Sequence, residues 1–62
     1  MFTVFVKDFI HGTVSEKNVP IERVIQLFLD WSNGKDIVVN NYNVANLSIE
    51  SVRVEETGRN DL

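Results

Sequence analysis

The sequence contains no cysteine and only one histidine, His11, among its 62 residues. The lack of cysteine excludes disulfides and thiolate metal sites, and one histidine cannot form a histidine-rich zinc site within a single chain. A chain this short buries only about 60 % of the surface that its unfolded form exposes, so its core is thin. Small domains offset a thin core with disulfides, a metal or oligomerisation, and of these the composition leaves only self-association.

Long apolar runs and clusters of positive charge are also absent. No run approaches the roughly 20 apolar residues that span a bilayer, and the first residues, MFTVFVKDF, lack the features of a signal peptide. We therefore expect a cytoplasmic protein that does not enter a membrane. The six lysines and arginines are scattered singly and the net charge is −3, so nucleic acid is an unfavourable partner.

Groups that converge in active sites are scarce as well. His11 has an acidic neighbour in Asp8, but a lone histidine on a hairpin is more often a surface residue than a catalytic base. The serines lie in no nucleophile-elbow context, and the isolated glycines form no phosphate-binding loop. Asp30 and Asp36 flank the predicted helix end, but two carboxylates fall short of the oxygen cage of calcium. We predict no catalytic residue, no metal and no cofactor, and hence a protein that is not an enzyme.

The clearest element in the sequence is a helix that begins near Pro20. Asn18 is a capping residue type, Pro20 suits a first turn, and Gly34 suits the left-handed conformation that ends helices. On a helical wheel the apolar residues cover roughly 200°, against the stripe of about 100° that is typical of a surface helix. The predicted centre of this arc is Ile21, Val24, Ile25 and Phe28, with Leu27 and Trp31 on one flank and Leu29 on the other. One small sheet should leave part of such an arc uncovered.

Strand patterns precede and follow this helix. Residues 2–6, FTVFV, predict a strand, and residues 9–15 predict either the second strand of a hairpin, which we favour, or the continuation of one long bent strand. Residues 36–39 predict a short buried strand. Residues 47–54 predict another, whose apolar alternation breaks near Glu50, so that either a bulge restores one apolar face or both faces are covered, one of them by a second copy.

These elements predict the α+β class: a small antiparallel sheet with an N-terminal hairpin, one amphipathic helix and two C-terminal strands. Residues 1–55 should form a single domain, and residues 56–62, which carry no apolar pattern, a flexible tail. The polar segment at residues 40–46 lies between the last two strands. It is typical of a turn, but its composition also fits a recognition loop, for which the candidates are Asn41, Tyr42 and Asn43.

Trp31 leaves two interpretations open. It lies one turn after Leu27 at the edge of the apolar arc, where it either caps the core or anchors a contact between molecules, since tryptophan is enriched in interfaces. The width of the arc favours the second interpretation. The candidates for a partner or dimer interface are Leu27, Leu29, Trp31 and Phe5.

The functional prediction is a small non-enzymatic protein–protein interaction module that acts as a homodimer. Acidic proteins of this size are typical of phage- or mobile-element-encoded inhibitors of a host defence or regulatory factor. The expected partners are a second copy and an unidentified host protein. The alternative is an oligomer that binds or sequesters a small ligand near Tyr42.

Overall fold

The structure, a computed structural model, describes residues 1–56 of the chain. Its elements are β1 (Phe2–Asp8), β2 (Gly12–Val19), α1 (Ile21–Ser32), β3 (Ile37–Val39), β4 (Tyr42–Val44) and β5 (Ile49–Glu56), with a 3-10 turn at Asn46–Ser48 before β5. This order confirms the predicted α+β class with a small antiparallel sheet. Of the predicted flexible tail, Glu56 is the last residue of β5, and residues 57–62 lie outside the described residues. No helix within residues 1–56 is long and apolar enough to cross a membrane.

The main sheet has the strand order β2-β1-β5, and both pairings are antiparallel. β1 and β2 form the favoured N-terminal hairpin, joined by three residues, Phe9 to His11. The Asp8 carboxylate accepts the backbone N–H groups of Ile10 and His11, and Gly12 takes a φ of 79°. Gly12 is the residue that follows the loop, and glycine adopts this left-handed conformation without a steric penalty.

A bulge in β5 explains why the apolar alternation breaks. Lys7 pairs with Ser51, but Asp8 pairs with Ile49, so Glu50 is the additional residue on β5. Cross-strand partners share a face of the sheet. Ile49, Val52 and Val54 therefore all contribute to the core face, and of the two alternatives the bulge is present.

A second irregularity, in β2, corrects the predicted start of the helix. Val4 pairs with Glu16 and Phe2 with Val19, so β2 has one more residue than β1 across this step. Asn18 lies in the irregular stretch with a φ of 59°, a conformation that Asn tolerates. The predicted capping role of Asn18 is therefore wrong. The N-cap is Pro20, whose carbonyl accepts the N–H groups of Arg23 and Val24, and no side chain caps the helix.

The end of α1 follows the prediction. Gly34 has a φ of 79°, and its N–H donates to the Trp31 carbonyl over 3.1 Å while the Lys35 N–H donates to the Asp30 carbonyl over 2.9 Å. These are the two hydrogen bonds of a Schellman motif. They satisfy carbonyls that the helix end would otherwise leave unpaired.

The core lies between the sheet, α1 and the β3–β4 hairpin, and it is built from small residues. The largest fully buried side chains are all valine: Val4, Val6, Val19, Val39 and Val44. α1 contributes Val24 and Leu27, with Trp31 half-buried beside them. The predicted centre of the helical arc is therefore wrong in part, because Ile21, Ile25 and Phe28 are exposed.

The polar segment after β3 forms a tight hairpin with a strand that the sequence did not indicate. Val39 pairs with Tyr42 across a two-residue turn in which Asn40 and Asn41 have φ values of 50° and 67°. Two left-handed residues in succession are typical of a type I′ turn, in which Asn is favoured. The predicted turn is therefore confirmed in its first half, and Tyr42 to Val44 form β4.

Candidate functional site

The most prominent surface feature of the described chain is an apolar stripe along α1. We call it the apolar flank, and its members are Ile21, Ile25, Phe28 and Leu29, which are 47 %, 54 %, 37 % and 51 % exposed. Residues at this spacing lie in one row on a helix. Together they expose on the order of 300–400 Å² of apolar surface, an area that equals the largest patch on a typical monomer.

The opposite side of α1 is fixed to the β3–β4 hairpin through Arg23. Its guanidinium donates to a Glu16 carboxylate oxygen and, over 2.8 Å, to the Val38 carbonyl. The other Glu16 oxygen accepts the Asn40 N–H at 2.8 Å. The bond from Arg23 lowers the pKa of Glu16, and it outweighs the partial burial that would raise this pKa. One carboxylate thus links β2, α1 and the hairpin turn.

This linkage shows which side of α1 the hairpin occupies. The hairpin lies beside β2, at one edge of the sheet, and it occupies the polar side of α1. The apolar flank lies on the other side of the helix, away from the hairpin. Among the strands within residues 1–56, β5 pairs only with β1, so β5 is an edge strand of the described sheet. The described residues therefore leave two features uncovered: the apolar flank of α1 and the side of β5 that faces away from β1.

A groove separates the polar side of α1 from β3, and we call it the helix–hairpin groove. It has a volume of about 540 Å³ and is lined by nine residues: Pro20, Glu22, Arg23, Gln26, Leu27, Asp30, Asp36, Ile37 and Val38. Leu27 and Ile37 are buried at its floor, and Val38 is partly exposed beside them. The groove thus combines an apolar floor with a rim that carries three carboxylates.

Asp8 and His11 form a close polar contact at the tip of the first hairpin. His11 Nδ1 lies 2.6 Å from Asp8 Oδ2, and the Asp8 carboxylate is almost fully buried. Burial raises the pKa of Asp8, but hydrogen bonds from His11 and from the Ile10 N–H outweigh it and lower this pKa overall. The three hydrogen bonds of Asp8 in this pair support the turn of the first hairpin.

The recognition-loop candidates do not converge on one site. Tyr42 is 58 % exposed, and its ring centre lies 6.3 Å from that of His11 over a shallow cleft beside β2. Asn41 lies in the turn, and Asn43 points away, with Nδ2 3.4 Å from Asp36 Oδ2. The cleft beside Tyr42 is therefore lined by neither of the other two candidates, and the alternative small-ligand site has no cavity formed by all three.

The interface candidates are also separated. Leu27 lies in the core and Trp31 is half-buried against it, with its ring centre 6.1 Å from that of Phe28. Phe5 lies on the opposite face of the sheet, where the Arg53 guanidinium stacks 4.4 Å from its ring centre. Only Leu29 belongs to the apolar flank.

Sequence reasoning missed the other three members of the flank because it assigned them to the core. It also missed a second exposed group at the tip of the first hairpin and in the 3-10 turn: Phe9, Ile10 and Leu47. The Phe9 N–H donates to the Ser48 carbonyl over 2.9 Å, which holds the tip beside this turn. The only available signal was that these residues interrupt the strand alternation.

No group of three or more His, Cys, Asp or Glu side chains within the described residues is arranged to hold a metal ion. The three carboxylates of the groove rim therefore act as separate charges. Comparisons of the chain with protein-family models, with curated proteins and with solved structures find no match.

Proposed function

We propose that the protein is a non-enzymatic protein–protein interaction module that works as a homodimer in the cytoplasm. The observation that carries this proposal is the apolar flank of α1, where four large side chains remain exposed while the fully buried positions hold only valine. A chain that leaves several large apolar side chains in water gains stability when another surface covers them. A second copy is the partner that is always present.

The apolar flank and the edge strand β5 together suggest a specific dimer. Antiparallel pairing of two β5 edges would continue the sheet across a twofold axis, and it would bring both apolar flanks to the same side of the joined sheet. Edge strands with unpaired backbone groups favour such pairing. The half-buried Val52 and Val54 on the core face of β5 would be covered in the same step.

The available area is consistent with this assembly. Stable interfaces bury about 800 Å² on each partner. The apolar flank supplies on the order of half of this area, and the β5 edge over residues 49–55 with its neighbouring side chains can supply the remainder. Neither surface alone would be sufficient.

The dimer would then act on other proteins by occupancy. An inhibitor of a host factor, of the kind that phages and mobile elements carry, needs a stable surface rather than a reacting group. The scarcity of converging nucleophiles and bases in this sequence fits such a role.

Light scattering on purified protein tests the dimer. The unaltered chain should have the mass of two copies, and Ile25→Glu should reduce it to one, because a carboxylate in an apolar contact is strongly unfavourable. The matched control is Ile10→Glu, at a site 72 % exposed on the hairpin tip, which should remain dimeric. Circular dichroism checks that both variants fold. A monomeric unaltered chain at high concentration would refute the dimer.

A further inference from the structure

The helix–hairpin groove lies on the side of α1 away from the apolar flank, so the proposed dimer leaves it open. Its volume, about 540 Å³, is within the range of about 300–1,000 Å³ for ligand-binding clefts. The buried Leu27 and Ile37 form the floor, and the 47 % exposed Val38 forms part of one wall. This surface can accept an apolar side chain.

The rim of the groove is negatively charged. Glu22 and Asp30 lie along the helix, and Asp36 lies on the opposite side before β3. The one basic residue that lines the groove, Arg23, is already bound to Glu16 and to the Val38 carbonyl. The unbalanced carboxylates therefore favour a cationic occupant, and the net charge of −3 acts in the same direction over longer distances.

The backbone of β3 adds a directional feature. Val39 and Tyr42 flank the two-residue turn as a hydrogen-bonded pair, so the backbone groups of Val38 point away from β4. Its carbonyl accepts Arg23 from the helix side, and its N–H points the same way, into the groove. A backbone carbonyl of an extended peptide could accept a hydrogen bond from this N–H, as occurs when peptides add to a strand edge.

From these features we infer that the helix–hairpin groove binds an extended segment of a partner protein in which lysine or arginine alternates with apolar residues. The apolar side chains would contact Leu27, Ile37 and Val38, and the basic ones would lie against the rim carboxylates. This inference rests on the proposed role as an interaction module, but it does not require the dimer.

Fluorescence anisotropy with two labelled peptides tests the inference. One short peptide alternates lysine with leucine, and the other replaces each lysine with glutamate. The lysine peptide should bind the unaltered protein saturably, with an affinity that falls as salt is added. The glutamate peptide should bind at least tenfold more weakly. Equal binding of the two peptides, or no saturable binding of the lysine peptide, would overturn the inference.

Matched variants locate the binding site. The double variant Glu22→Gln/Asp30→Asn should weaken binding of the lysine peptide roughly three- to tenfold, the order expected for two exposed ion pairs. Val38→Ser should weaken it as well, because it removes an apolar contact from the wall of the groove. The control Glu55→Gln removes one carboxylate that is paired with Arg53 on β5, and it should leave the Kd unchanged. If the double variant binds as tightly as the unaltered protein, the groove is not the site.

Two further measurements separate other occupants and keep this test independent of the dimer. Spermine should displace the peptide only weakly. If spermine displaces the peptide when both are present at the same concentration of positive charge, the groove is a polyamine site and the inference fails. The variant Ile25→Glu should bind the peptide with the same Kd whether or not the unaltered chain is dimeric. If only this variant binds, a second copy occupies the groove and the inference fails.

Discussion

At the scale of single residues, Asp8 organises the tip of the first hairpin. Its carboxylate accepts the N–H groups of Ile10 and His11 at 3.4 and 3.2 Å and lies 2.6 Å from His11 Nδ1, while only 3 % of the residue is exposed. Buried polar groups are stable when their hydrogen bonds are satisfied. The loop that follows β1 therefore depends on an ionised Asp8.

This dependence predicts a loss of stability in acid. The folded state lowers the pKa of Asp8: burial, the largest single influence, raises this pKa, but the hydrogen bonds from His11 and Ile10 together outweigh burial. The folded state also lowers the pKa of Glu16, through the hydrogen bond from Arg23. A carboxyl group whose pKa is lowered by folding stabilises the protein fully at pH values above its unfolded pKa, about 4. This stabilisation is lost as the pH falls through the folded pKa. Urea unfolding at pH 7 and at successively lower pH values should show this decrease.

Substitutions assign the decrease to Asp8. Asp8→Asn should flatten the pH dependence in part, because Asn cannot ionise, and Glu16 should still contribute the rest. His11→Ala removes one of the three bonds and should reduce the slope by a smaller amount. An Asp8→Asn profile parallel to that of the unaltered chain would show that the carboxylate is not the source.

At the scale of elements, the sequence could predict features that depend on one residue type at one position. The alternation fault near Glu50 indicated either a bulge or a strand covered on both faces, because side chains in a strand have a strict period of two. Gly34 indicated the helix end because of its freedom at positive φ. β4 was not predicted because it has only three residues, of which only Val44 is buried. Three residues are too few to show an alternation of apolar and polar side chains.

The helix end provides a prediction at this scale. Gly34 has a φ of 79°, and a Cβ placed there would meet nothing within 4 Å, so substitution carries only the backbone penalty. Gly34→Ala should lower the free energy of unfolding by about 1–2 kcal/mol, measured as a shift of the urea midpoint without a change of slope. Gly34→Asn should cost less, since Asn tolerates this region. Equal costs for Ala and Asn would contradict this explanation.

At the scale of the whole molecule, the sequence established the width of the apolar arc on α1 but not its orientation. A helical wheel gives angles between residues, and it does not say which part of a wide arc faces the sheet. Contacts with other elements set that rotation: Leu27 packs into the core, and Arg23 bonds to Glu16 and to the Val38 carbonyl. This rotation leaves Ile25 in water.

The same fact limits what the sequence could say about the candidate site. An uncovered apolar surface was predictable from the short chain and the wide arc, whereas three of the four residues that form it were not. The groove on the other side of α1 was also beyond prediction, because it exists only between the helix and a hairpin whose second strand carries no sequence signal.

The proposed dimer has a thermodynamic consequence for the whole molecule. Because folding and association are coupled in such a small protein, the Tm should rise with protein concentration. A tenfold increase is worth about 1.4 kcal/mol, which corresponds to about 5 °C for a dimer of two such chains. Ile25→Glu should abolish this dependence and Ile10→Glu should retain it, as differential scanning calorimetry over a wide concentration range can measure. A concentration-independent Tm for the unaltered chain would mean that its valine core is sufficient alone, and that the apolar flank needs no second copy.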